Sequence, residues 1–167
     1  MHQVLLVSDY AKGSLADVAT LIAAAREAAL PVLVDPKGDD FTIYTGATMI
    51  TPNRSELQRV VGAWRDEADL HCRAQALRTS LHADALLLTR SEDGMSLFDG
   101  DGVRHFATQA REVFDVSGAG DTVIAVIAAL LAAGVAMESA VAIANHAAGL
   151  AVSKLGTAVV SFDELFS

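Results

Sequence analysis

Residues 4–36 read VLLVSDYAKGSLADVATLIAAAREAALPVLVDP, and the order of patterns within them indicates the architecture. Residues 4–7 are a short run of β-favouring apolar side chains that stops at Ser8-Asp9. Ser14 then stands as an N-cap would, opening an apolar-periodic stretch that continues to Ala29. Residues 32–34 repeat the strand pattern and stop at Asp35-Pro36, where proline disfavours further regular structure. Strand, helix and strand in about 30 residues make a βαβ unit, which implies parallel strands with the connecting helix laid on the sheet.

Further along, the same alternation continues. Residues 48–50 suggest another short strand stopping at Thr51-Pro52, and Asn53 is placed to cap a helix over 55–61. A second helix is predicted over 66–81, with Leu70, Leu77 and Leu81 at helical spacing, and a buried strand over 85–88. Residues 95–98 and 103–106 flank Asp99-Gly100-Asp101-Gly102, a turn-rich tetrad suited to a β-hairpin. After a loop over 107–117, two Ala-rich helices are predicted over about 118–133 and 137–155. The expectation is an α/β fold: a mostly parallel sheet with an antiparallel hairpin at its edge and helices on its faces, in a single domain over 1–167. In such sheets ligands collect at the carboxyl ends of the strands.

Composition agrees with that class and excludes others. Hydrophobic residues are 52% of the 167 and aromatics only 5%, so the interior must be built from Ala, Val, Leu and Ile, as where helices cover a buried sheet. A formal charge of -9 repels a phosphate backbone, which argues against nucleic-acid binding. A small anion must instead be captured locally. The single cysteine, Cys72, lies in a helical context without neighbouring ligands at metal spacing, so a reducing, cytoplasmic setting is expected. The apolar runs near residue 4 and over 122–135 are too short for a signal segment or a membrane span.

The segment richest in chemistry is DVSGAGD at 115–121. Glycines at a helix start leave backbone N–H groups unshielded, and the helix dipole adds partial positive charge there. Asp121 falls in the first turn, where a carboxylate is favoured and stands beside any anion the glycines hold, an arrangement suited to phosphoryl transfer. The helix behind it would bury Val123, Ile124, Ile127, Leu130 and Leu131. Gly and Asp at a helix start also serve capping alone. A dinucleotide fingerprint does not fit, because Val123 occupies the third glycine position, and no GxxxxGK[ST] segment occurs.

DVSGAGDT resembles the C-terminal signature of the ribokinase-like (PfkB) sugar kinases. The resemblance implies that Gly118, Ala119 and Gly120 hold the transferring phosphate and that Asp121 is the catalytic base. Asn53-Arg54-Ser55-Glu56 is similar to the family's NxxE motif, which implies that Asn53 and Glu56 organise Mg²⁺, through water, and the nucleotide phosphates. By spacing alone the same four residues form a capping box. SDYAKG at 8–13, DPKG at 35–38, TPNRSE at 51–56, TRSEDGM at 89–95 and ANHAAGLAVSKLGT at 144–157 extend the resemblance through nearly the whole chain. Together these look like the branch of the family that phosphorylates O1 of D-glycero-β-D-manno-heptose 7-phosphate, a precursor step for lipopolysaccharide core.

Through this resemblance Lys37, Thr89, Gly94, Asn145 and Gly149 become nucleotide-binding candidates. Each has a plainer reading beside it. Lys37 could be a solvated loop cation, Gly94 could serve its turn, Asn145 could be a polar surface position, Gly149 could permit close helix packing, and His146 reads as structural. ATP, Mg²⁺ and a monovalent cation are the implied cofactors, and a phosphorylated sugar the partner. Family members carry an N-terminal sugar-binding segment comparable in length to this chain, and some carry a nucleotidyltransferase domain; neither is expected within these 167 residues. Without that segment, residues 4–7 would be an exposed sheet edge, with self-association or a separately supplied half as its cover.

Overall fold

The computed structural model describes residues 3–9, 17–109, 115–154, 156 and 159–166. Six strands form one sheet in sequence order: β1 (Leu5–Ser8), β2 (Val32–Asp35), β3 (Met49–Ile50), β4 (Ala85–Thr89), β5 (Met95–Asp99) and β6 (Gly102–Phe106). The first four pair in parallel. Their connections carry α1 (Val18–Glu27), a 3-10 turn at Thr42–Tyr44, and the pair α2 (Arg54–Val61) and α3 (Glu67–Ser80). Connections 90–94 and 100–101 are too short for a crossover, so β4, β5 and β6 run antiparallel, β5 and β6 as the hairpin that the turn tetrad predicts.

Register explains why the parallel strands read as continuous apolar runs. Val34, Ile50 and Leu86 are partners across the sheet and share one face, with Ile22, Leu57 and Leu70 of the helices in the same buried clusters. Leu33, Met49 and Leu87 have the opposite parity and are equally buried. A strand buried on both faces has no polar positions to alternate with. β1 lies at one end of the strand order, and its Leu6 is 38% exposed.

The chain groups into two compact units, one of Met1–Thr89 with Ser96–Arg104 and one of Arg90–Met95 with His105–Ser167. In the second, α4 (Ala119–Ala132) packs on α5 (Met137–Val152), followed by the short α6 (Phe162–Leu165). Val123, Ile124 and Ile127 are buried as the periodicity predicts, but Leu130 and Leu131 are only half-buried, and Ala128 takes the interior position instead. At a close helix crossing the small side chain occupies the tightest place.

Most departures from expectation lie at element ends. α1 begins at Val18 behind Asp17, and Ser14 lies outside the described residues, as do Tyr10–Gly13 of the SDYAKG match. α5 ends at Val152, short of the predicted 155; Leu155 and Thr157 are also outside the described residues. The 3-10 turn and α6 are additional to the predicted elements. Asp40 initiates the former by accepting from the Thr42 amide and hydroxyl, and a Ser161–Glu164 capping box initiates the latter. No helix among the described residues is long and apolar enough to cross a membrane.

Candidate functional site

Parallel strands end at one edge of a sheet, so the residues just beyond them are gathered whatever their sequence separation. In the first unit Asp9 follows β1, Lys37 follows Asp35 at the end of β2, Asn53 and Glu56 follow β3, and Thr89 ends β4. Asn53 and Thr89 form a β-bridge, and the Thr89 amide donates to Pro52 O at 3.0 Å. Lys37, Asn53, Glu56 and Thr89 are thus brought together.

Asn53-Arg54-Ser55-Glu56 forms a complete capping box. Asn53 Oδ1 accepts from the Glu56 amide at 3.0 Å, and Glu56 Oε2 accepts from the Asn53 amide at 2.8 Å. Capping alone would leave the glutamate at the surface. Glu56 is instead 3% exposed, and its Oε1 accepts from Lys37 Nζ at 2.5 Å, with Asp35 Oδ2 3.9 Å from the same ammonium. Removing a carboxylate from water costs several kcal/mol, which a close cation and two hydrogen bonds offset. Lys37 is therefore not the solvated loop cation of the plainer reading; its side chain is 32% exposed and ion-paired.

This donor set fits Mg²⁺ at one remove. Both Glu56 oxygens and Asn53 Oδ1 already accept hydrogen bonds, and among the described residues no cluster of three or more His, Cys, Asp or Glu could hold a metal. A cation that keeps several of its waters can use such groups through those waters.

The second unit offers a helix start of the opposite kind. Gly118 caps α4 in the left-handed region at φ 77°, where other residues are strained, and it brings no side chain to satisfy the first N–H groups. Ala119 N–H donates within the turn to Val116 O at 3.2 Å, whereas the N–H groups of Gly120 and Asp121 have no acceptor among the described residues. Among the described residues, the N–H groups left open at this helix start are thus those of Gly120 and Asp121. Asp115 closes the turn through the Ser117 amide at 2.8 Å, and that bond holds its carboxyl below the usual carboxylate range. Asp121 is exposed. A Cβ built on Gly120 would meet nothing within 4 Å, so packing does not require glycine there.

Other candidates in this unit have structural tasks. Gly94 sits at φ 83°, and an added Cβ would fall 2.0 Å from Phe106 O, so its turn demands glycine. Asn145 is not a surface position: it is 5% exposed, and its Nδ2 donates to Ala107 O at 2.7 Å. Gly149 is buried on α5, and His146 Nδ1 meets Gln109 Oε1 at 2.7 Å. Two residues of the first unit escaped the sequence reading. Tyr44 is fully buried, and its hydroxyl donates to Asp9 Oδ2 at 2.6 Å. Strand-terminal position alone could have signalled Asp9; nothing local signals Tyr44.

Known proteins resemble this chain in sequence and fold. The chain is 61% identical over 162 residues to the bifunctional protein HldE of Alcanivorax borkumensis, covering 96% of this chain and 34% of that protein. It is 52% identical over 164 residues to the D-beta-D-heptose 7-phosphate kinase of Bordetella bronchiseptica, covering 98% of this chain and 52% of that one. The chain thus spans about a third to a half of the length of these relatives. A solved structure of Arabidopsis thaliana ribokinase with ribose and ATP superimposes with a TM-score of 0.75 at 25% identity, over 84% of this chain and 47% of that one. Residues 3–164 match the pfkB family carbohydrate kinase profile, so the parallel sheet, the capped Asn53–Glu56 turn and the glycine-led α4 are features of a chain that belongs to the pfkB family of carbohydrate kinases.

Proposed function

We propose that this chain carries the nucleotide-phosphate and proton-accepting part of an ATP-dependent sugar kinase, with O1 of a heptose 7-phosphate as the acceptor. The observation that carries the reading is the open start of α4, where two N–H groups with no acceptor among the described residues stand beside the exposed Asp121 carboxylate. Backbone donors fixed before reaction lower the cost of charge developing on a transferring phosphoryl group, and a carboxylate beside them accepts the hydroxyl proton as the sugar oxygen attacks phosphorus. In the first unit, Lys37 is a cation for nucleotide phosphates, and Asn53 and Glu56 would hold Mg²⁺ through its waters. When bound, that ion neutralises phosphate charge. The heptose assignment is supported by the 52% identity to a D-beta-D-heptose 7-phosphate kinase.

Because the chain spans only part of its relatives, we expect the isolated 167 residues to bind ATP yet turn over little. Calorimetric titration with ATP, with and without Mg²⁺, tests binding. ADP release measured across a panel of sugar phosphates, with the remaining part of a relative supplied, tests the acceptor. No ATP binding at millimolar nucleotide would remove the reading, and preference for another sugar would remove only the heptose assignment.

Gly120→Ala separates function from capping. Alanine is favoured over glycine in helices by up to about 1 kcal/mol, and the methyl group meets no neighbour, so the melting temperature should hold or rise slightly. Turnover should nonetheless fall about tenfold or more, because the methyl group enters the space beside the Gly120 and Asp121 N–H groups. Full turnover in this variant would leave Gly120 without a role in transfer.

A further inference from the structure

Tyr44 ends the 3-10 turn at Thr42–Tyr44, has no exposed surface, and meets Phe41 edge-on with ring centroids 5.9 Å apart. If that position only filled the core, phenylalanine would serve without burying a hydroxyl that must find partners. The Tyr44 hydroxyl does find them at the ends of two strands. It donates to Asp9 Oδ2 at 2.6 Å beyond β1 and accepts from the Lys37 amide at 3.3 Å beyond β2, with Lys37 O also 3.3 Å away. Burial, and then the bond to Asp9, push the phenol above the usual tyrosine range, so it remains a donor at neutral pH. The Lys37 side chain leads on from there to Glu56, at 2.5 Å, and to Asp35, at 3.9 Å.

We propose that Tyr44 is a positioning residue: from the interior it anchors the main chain at Lys37 and so sets where the Lys37 ammonium meets its anionic partners. This rests on the reading of Lys37 as a phosphate-side cation. A lysine stem has many rotamers, and a fixed origin together with the Glu56 contact at its tip removes most of them before a phosphate arrives. Asp9 acts through Tyr44, holding the hydroxyl in the one orientation that leaves its lone pairs toward the Lys37 amide.

The test is a double-mutant cycle on the full chain, with ATP and adenosine titrated separately by calorimetry. Tyr44→Phe should weaken ATP about five- to tenfold while changing adenosine by less than about twofold, because only the phosphates meet the displaced lysine. In a Lys37→Ala background the same change should cost no further ATP affinity. A core-filling role would weaken both ligands alike in both backgrounds, and that result overturns the proposal. Hydrogen exchange at the Lys37 amide gives a readout independent of nucleotide: Tyr44→Phe should speed it about tenfold, with sheet amides such as Thr51 unaffected, and an unchanged rate overturns the anchor. ATP held no more tightly than adenosine by the unchanged chain overturns the reading of Lys37 and this proposal with it. That failure is distinguishable, since the Lys37 amide would still respond to Tyr44→Phe. Should Tyr44→Phe not fold, Asp9→Asn keeps the ring, weakens the charged acceptor, and should shift both readouts the same way by a smaller factor.

Discussion

Asp121→Asn is expected to lower phosphoryl-transfer turnover by about 10²- to 10⁴-fold, measured as ADP release by the chain combined with the remaining part of a relative. The side chain keeps its size and its place in the first turn of α4, so what is lost is the negative charge and with it the ability to take a proton. Removing a carboxylate from a helix start costs about 0.3–1 kcal/mol through the helix dipole, a few degrees of melting temperature at most. ATP affinity should stay within about twofold, because the Gly120 and Asp121 N–H groups are backbone and survive the change. Turnover within about threefold of the unchanged protein would remove Asp121 from the chemistry and leave α4 as an anion-binding helix only.

The second large effect concerns stability. Gly94→Ala places a Cβ 2.0 Å from Phe106 O, 2.7 Å from Thr108 N and 2.8 Å from Ala107 C, all of them backbone atoms that no rotamer change can move aside. The residue also sits at φ 83° and ψ -128°, a conformation open to glycine and strained for alanine. Strain of about 1–3 kcal/mol and overpacking of about 1–3 kcal/mol act at the same residue. Against a total stability of about 5–15 kcal/mol, the variant should melt on the order of 10 °C lower or fail to accumulate. A midpoint within about 2 °C would show that the strand ends at 94 and 106 can separate without penalty. The result bears on function, because a nucleotide role for Gly94 has to be measured in a variant that still folds.

Legibility in the sequence differed from element to element for physical reasons. The order of strands and helices was readable because apolar runs, capping residues and Pro or Gly stops act within a turn or two of the chain. Asn53 shows this well: it caps the helix that follows it through its own side chain. Helix ends were less readable. α5 stops at Val152, although the Ala-rich periodicity runs on to 155, because that pattern does not record where the core ends. Leu130 and Leu131 read as core from periodicity but are half-buried, since the crossing of α4 and α5 decides which side is inside.

The candidate site divides in the same way. Asp121 in the first turn of a glycine-led helix, and the Asn53–Glu56 cap, are local patterns that residue order alone establishes. Their electrostatic setting is not. The Lys37–Glu56 pair joins residues 19 apart, Tyr44 reaches Asp9 across 35, and Asn145 reaches Ala107 across 38. Each depends on parallel strands ending at a common edge or on two helices bringing a loop to a fixed place. A capping box looks the same on paper whether its glutamate faces water or a buried ammonium, because the difference is made by a strand folded beside it.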